Sequence, residues 1–238
     1  MHAFFVSPEG EISKEEAKHA KSVLRLNVGE EIEALDGTGR RFLAQITSLT
    51  ENGGRAELLQ ELASNESAVH ITLYQGIPKA EKLELVTQKL TELGICRLVP
   101  VRMRYCVVKQ DAKDAEKKAG RLQKISLEAV KQCGRARAME IAPAMDFAPA
   151  IEDMRTQELL IIPWENAENT HLKDLYREFP NVHRIGIVIG PEGGMAQEEV
   201  EKMLAAGGKT ATLGSRILRT ETAAIVSCAV AMSLWGDL

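Results

Sequence analysis

Apolar positions in residues 1–67 come in short runs split by turn chemistry. Phe4–Val6, Glu31–Leu35, Arg41–Leu49 and Arg55–Leu62 read as strands, separated by the turns Asp36-Gly37-Thr38-Gly39 and Asn52-Gly53-Gly54. A short helix is predicted from Lys14 to Arg25. Several short strands joined by tight turns predict a small β-barrel. The polar Asn65-Glu66-Ser67 marks a boundary, dividing the chain into 1–67 and 68–238.

From Val69 the period changes. Val69–Gln75, Arg97–Val101, Leu159–Ile162, Ile185–Ile189 and Thr210–Leu213 read as strands. Between them, Leu83, Val86, Leu90 and Leu93 recur at helical spacing, and Gly94 supplies a stop. Further helices are predicted over Asp114–Cys133, Glu198–Ala206 and Glu221–Trp235. Strands alternating with helices predict a parallel α/β sheet covered on both faces. The last helix is apolar nearly all round (Ile225, Val226, Cys228, Val230, Met232, Leu234), so it belongs in a core or a subunit interface.

Composition adds three exclusions. A hydrophobic fraction of 45% with 27% charged residues over 238 residues excludes a disordered or fibrous chain. Cys96, Cys106, Cys133 and Cys228 form no CxxC pair, which leaves zinc-ribbon and thioredoxin readings without support and suggests reduced thiols in the cytoplasm. The apolar run Ala223–Trp235 is too short to span a bilayer, so no membrane partner is expected. Net charge is -4, but it is unevenly spread. Residues 1–68 carry 7 basic against 12 acidic groups, residues 69–142 carry 15 against 8, and residues 143–238 carry 8 against 14. A basic middle suggests an anion-binding surface, with Arg102, Arg104, Lys109, Arg135 and Arg137 at element ends as its candidates. Lys113, Lys117, Lys118, Arg121 and Lys124 read as the solvated face of a helix.

Three C-terminal segments carry chemistry. Ile185–Ile189 runs into Gly190-Pro191-Glu192-Gly193-Gly194, and ligands of open α/β sheets sit beyond strand carboxyl ends. A phosphate cradle needs free N–H groups and usually a Lys. Pro191 removes a donor and Glu192 adds negative charge, so the loop suits a phosphate-free, even cationic, ligand; a plain glycine turn is the alternative. Leu213 to Thr222 places Arg216 and Arg219 beside a glycine turn, where they could hold a substrate anion; an ion pair from Arg219 to Glu221 is the alternative. Leu159-Leu160-Ile161-Ile162-Pro163-Trp164-Glu165 ends a buried strand at a similar level, where Trp164 either walls a planar ligand or simply packs.

Ile189 to Gly194, followed by Leu213 to Ala223, resembles the RsmE-type 16S rRNA (uracil-N3) methyltransferases of the SPOUT class. His19, Val23-Leu24-Arg25-Leu26 and Asp36-Gly37-Thr38-Gly39 resemble that family's PUA-like barrel. Lys79, Lys89 to Gly94, Val107-Val108-Lys109 and Gln132-Cys133-Gly134-Arg135 resemble its central region. The chain departs from the family pattern at His2-Ala3, at Met103-Arg104-Tyr105-Cys106 and at Lys131. The resemblance implies an α/β fold with a C-terminal trefoil-knotted methyltransferase domain behind a PUA-like β-barrel. It implies S-adenosylmethionine as cofactor, 16S rRNA or the small ribosomal subunit as partner, and a homodimer formed through the knotted domain. It implies no metal.

Carried over, the cofactor contacts are Ile162, Pro163, Glu165, Ile189, Gly190, Pro191, Glu192, Gly193, Gly194, Leu213, Gly214, Ile217 and Leu218. Arg219 and Arg216 are the candidates for stabilising the uracil anion, and Glu192 and Glu221 for accepting its proton. RNA-backbone candidates are Arg25, Arg40, Arg104, Lys109 and Arg135. Three alternatives stand beside this reading: a SPOUT enzyme acting on a tRNA base or a ribose 2′-hydroxyl, a non-catalytic RNA-binding homologue, and a metabolic α/β enzyme for a small cation.

Overall fold

The computed structural model describes residues 1–79, 81–107, 112–167 and 169–238. They form two compact units, one of residues 1–66 with 130–138, the other of 67–129 with 139–238.

The first unit holds β1 (Ala3–Phe5), β2 (Glu11–Ile12), α1 (Lys14–Ser22), β3 (Glu31–Leu35), β4 (Arg41–Thr50) and β5 (Gly53–Leu62). Its strands follow the order β1-β3-β4-β5-β2, and a bridge from Val6 to Ile12 joins the two edges into the expected small barrel. Phe4, Ile12, Ile32, Ala44, Ile46 and Ala56 point inward, as period-2 alternation requires. Helix α1 stops three residues short of the expected end. Arg25 takes a left-handed conformation (φ 56°), and the Leu26 N–H reaches back to the Ala20 carbonyl at 3.0 Å. That is a helix-ending motif usually built on glycine, and an arginine at this position carries no stop signal.

The sequence boundary also misses one segment of this unit. Val130 and Ala136 share an apolar cluster with Leu35, and Glu66 binds the chain at 135–137. The Glu66 carboxylate accepts from Arg135 Nη2 at 2.6 Å and from the Ala136 and Arg137 N–H groups at 3.2 Å each. Arg135 is thereby buried, with 6% of its side chain exposed. Its expected role as an RNA contact is corrected: the guanidinium is committed to an internal carboxylate.

The second unit contains β6 (His70–Gly76), α2 (Lys82–Glu92), β7 (Arg97–Arg102), α3 (Ala112–Cys133), β8 (Glu140–Ile141), β9 (Met145–Asp146), α4 (Phe147–Met154), β10 (Leu159–Pro163), α5 (Leu172–Glu178), β11 (Arg184–Ile189), α6 (Gln197–Ala205), β12 (Lys209–Ala211) and α7 (Thr220–Trp235). The end of α3 falls in the first unit. The strand order is β12-β10-β11-β6-β7-β8, with β9 also on β7, and every pairing is parallel. Successive residues serve opposite faces. Leu159, Ile161, Ile185 and Ile187 meet α2, α5 and α7 residues such as Leu90, Leu172 and Cys228. Leu160, Ile162 and Val188 meet Ile151 and Met154 of α4 and Val200 and Met203 of α6. Burial on both faces explains the unbroken apolar runs of β10 and β11.

Removing one partner of a buried ion pair strands the other charge. Glu66→Ala should lower unfolding free energy by about 3 kcal/mol, read by denaturant titration. A loss near about 0.5 kcal/mol would place the pair among ordinary surface ion pairs.

Candidate active site

Strands β12, β10 and β11 are neighbours, so the loops leaving their carboxyl ends stand side by side. They enclose a cavity of about 890 Å³, within the range of small-molecule sites. Among the expected cofactor contacts, Pro163, Glu165, Ile189, Gly190, Pro191, Glu192, Gly194, Leu213, Gly214, Ile217 and Leu218 line it. Two do not. Ile162 is fully buried in the core because its position in β10 turns the side chain away from the loops. Gly193 faces Tyr105, whose Cβ would lie 2.8 Å from an added methyl.

A buried polar joint fixes the loops. Thr220 Oγ1 donates to the Gly190 carbonyl at 2.6 Å and accepts from Gln75 Nε2 at 2.8 Å. One hydroxyl thus ties the start of α7 to the loop after β11 and to the end of β6. The approach is close: a Cβ on Gly76 would sit 2.5 Å from Pro191 Cδ. Only glycine fits there. Gln75 carries no sequence signal because it looks like one more residue of a buried strand.

The charges at the cavity divide unevenly. Arg216 and Arg219 both line it and are exposed. Among the described residues, neither lies within ion-pair distance of a carboxylate. The expected alternative, Arg219 on Glu221, does not occur: Glu221 Oε2 lies 3.2 Å from Lys82 Nζ. The same ammonium is 3.1 Å from Glu192 Oε1, which also accepts the Lys79 N–H at 3.0 Å. Glu221 is mostly buried and is not part of the cavity lining, a correction to its expected place as proton acceptor. Partial burial opposes the charge on Glu192, but the Lys79 N–H, its own backbone N–H and Lys82 outweigh it and hold its carboxyl below the usual range. A carboxylate so stabilised is a weak base.

Lys82, Asn169, His171 and Met195 also line the cavity and were not anticipated. Lys82 opens α2, over a hundred residues from the loops it joins, and no spacing pattern reveals that.

Among the described residues of the basic middle segment, several arginines are paired with acids, while Lys117, Lys118 and Lys124 are exposed. Arg97 pairs with Asp153 and Glu140, Arg102 with Asp146, Arg104 with Glu198 and Arg121 with Glu84. Arg137 donates to the Thr38 carbonyl at 2.6 Å. In the first unit, Arg40 forms a two-toothed pair with Glu61, while Arg25 is exposed. Lys109 lies outside the described residues.

Thr220→Val leaves the Gln75 amide and the Gly190 carbonyl short of a partner and should cost about 1–3 kcal/mol in thermal or denaturant unfolding, with recovery in Thr220→Ser. Glu192 has a pH signature of known sign. Because its native pKa is lowered, its charge stabilises the fold fully above about pH 4.5 and less as pH falls through the native value. Glu192→Gln should therefore be less stable than the parent at neutral pH, and the difference should close in acid.

Comparison with known proteins matches this geometry to a family. An RNA methyltransferase domain model matches residues 65–232, and an RNA methyltransferase PUA domain model matches residues 12–59. The chain is 31% identical to ribosomal RNA small subunit methyltransferase E of Bacillus subtilis, over 91% of this chain and 87% of that one. It is 31% identical to the protein of the same name from Rickettsia conorii, over 89% and 84%. Among solved structures, a methyltransferase of Legionella pneumophila in complex with SAM superposes with a TM-score of 0.86 at 30% identity, covering 100% of this chain and 99% of that one. Ribosomal RNA small subunit methyltransferase E of Neisseria gonorrhoeae, bound to S-adenosylmethionine, gives 0.85 at 30% identity, over 100% and 99%. The three-loop cavity therefore sits in an enzyme fold already known to hold this cofactor, and the chain belongs to the RNA methyltransferase family that includes ribosomal RNA small subunit methyltransferase E.

Proposed function

We propose that this chain transfers a methyl group from S-adenosylmethionine to N3 of a uracil in 16S rRNA. The observation that carries the reading is the pair of uncommitted arginines, Arg216 and Arg219, on the wall of the three-loop cavity. The cavity suits the cofactor. Its walls combine apolar groups such as Trp164, Ile189, Met195 and Leu218 with polar ones, the exposed Glu165 lines it, and a Cβ added at Gly214 would meet nothing within 4 Å. Pro191 and Glu192 disfavour a phosphate ligand and suit a cationic one.

The cofactor supplies a methyl on an already activated sulfonium, which leaves positioning and charge to the protein. Uracil N3–H must lose its proton for attack, and negative charge then spreads over the ring. Arg219 and Arg216 stabilise that charge in a site where fixed donors outperform water. The lowered carboxyl of Glu192 makes it a poor proton acceptor. Its part is structural: it anchors Lys79 and Lys82 beside the loop.

The barrel of residues 1–67 is the RNA-holding module in this reading and residues 68–238 the catalytic one. Exposed Arg25 is its leading backbone contact, with Arg40 and Arg104 available only by leaving their acids. The target base leaves its stack to enter the cavity. The same reading includes a trefoil knot and a homodimer. Support for the knot is the path of the chain: it leaves the edge strand β12, passes the loop after β11, and packs α7 on α2, β6 and β11. Support for the dimer is α7 itself, which leaves Val226 and Val230 exposed opposite the buried Ala224, Cys228 and Ala231. Among the described residues, no helix is long and apolar enough to cross a membrane.

Nucleoside mass spectrometry of 16S rRNA from cells with and without the protein should show an N3-methyluridine that depends on it. Purified Arg219→Ala should lose about 10²-fold or more in single-turnover methylation while its calorimetric affinity for S-adenosylmethionine stays within about twofold. Parent-like turnover would remove Arg219 from the reaction. A parent chain that produces no such nucleoside would remove the proposal.

A further inference from the structure

The cavity wall presents a charge allocation that the proposed reaction does not by itself explain. Lys82 Nζ lies 3.1 Å from Glu192 and 3.2 Å from Glu221. The two acids come from different segments, the loop after β11 and the first turn of α7. Arg219 is two residues from Glu221, and Arg216 and Arg219 line the same cavity as Glu192. A guanidinium binds a carboxylate more specifically than an ammonium does, through two parallel N–H donors. Left without another cation, acids at and behind this wall would draw on the arginines that line it. Instead one ammonium engages both acids, and among the described residues both guanidiniums have no carboxylate partner.

We infer that Lys82 is a positioning residue for methyl transfer: by occupying Glu192 and Glu221 together, it keeps Arg216 and Arg219 available to the substrate anion. The inference rests on the proposed reaction and names a residue that acts on it through others. The chemistry of the group agrees. The hydrogen bond to Glu192 is the chief cause of a raised Lys82 pKa, so the side chain stays cationic and takes no proton from uracil. Glu221 keeps only 14% of its side chain exposed, so it depends on this ammonium for a countercharge. Besides Lys82, the Lys or Arg side chains lining this cavity are Arg216 and Arg219.

A double-variant cycle tests this on the full-length protein. Lys82→Met should slow single-turnover methylation of 16S rRNA by about 30-fold, with S-adenosylmethionine affinity within about twofold, and Lys82→Arg should recover most of the rate. In a Glu221→Gln background, the same loss of Lys82 should cost only about threefold, because the more buried of the two carboxylates is gone and Glu192 keeps the Lys79 N–H. Equal cost in both backgrounds would make Lys82 a direct substrate contact and overturn the inference, as would a Lys82→Met enzyme at the parent rate. Should Lys82→Met fail to fold, the double variant strands no charge on α7 and carries the test alone. Its rate within about tenfold of Glu221→Gln supports the inference, and a larger loss overturns it. Arginine Nε NMR reads the pairing without turnover. Arg216 and Arg219 resonances that do not move in Lys82→Met overturn the inference even if the parent makes no methyluridine.

Discussion

The hydroxyl of Thr220 stands where three separate stretches of chain must agree. It donates to the Gly190 carbonyl and accepts from the Gln75 side chain, while Gly76 and Pro191 touch without room for a methyl group between them. The loops after β10, β11 and β12 lie outside regular structure, joined by scattered hydrogen bonds such as those from the Trp164 N–H to the Ala211 carbonyl and from the Thr212 N–H to the Thr170 carbonyl. Loops of that kind ordinarily wander, and binding a ligand would then carry the cost of ordering them. Here the cost is met during folding, because the joint is buried and its polar atoms have few other partners within reach. The floor of the cavity is thus set by the core of the second unit, and the strand ends deliver the loops to it in a fixed order.

Charge follows the same logic of commitment. Arg135 and Arg219 are the same residue type in segments that look equally exposed in sequence, and they meet opposite fates. Arg135 is buried against Glu66, where its donors close one end of a polypeptide segment. Arg219 immediately precedes α7 and lines the cavity, with no carboxylate in ion-pair distance among the described residues. The excess of cations in residues 69–142 is spent mostly on acids elsewhere in the fold, so a linear charge count overstated the basic surface. What sets Arg216 and Arg219 apart is that, among the described residues, Glu192 and Glu221 are engaged by Lys82 instead.

Much of the fold was legible because burial on two faces or on one leaves a clear trace. The isoleucine-rich β10 and β11 could only be central parallel strands, and alternation with Gly-rich turns marked the barrel. The short pieces escaped. Strands of two residues carry no period, and α4 hides behind Pro149, which a first turn tolerates. α1 ended early on a non-glycine left-handed residue. At the site, the glycine loop and the two arginines were visible as local chemistry. Ile162, one residue before the end of β10, turns its side chain into the core beside α4 and α6. Lys82 and Gln75 were invisible because their partners are 110 to 145 residues away in sequence.

These features constrain how the proposed chemistry is shared out. Of the two acids first considered as proton acceptors, Glu192 is held charged by backbone donors and Lys82, and Glu221 is withdrawn from the cavity. Neither is arranged to take a proton. The guanidiniums are arranged to lower the cost of losing one, since a positive pair beside uracil favours its anion over the neutral ring. A site built this way needs no strong base. Bulk water can carry the proton away once the anion is favoured, and the rate then depends on how firmly the arginines are kept from the acids around them. That dependence returns to the same wall of the cavity, where a lysine holds the carboxylates and a threonine holds the loops.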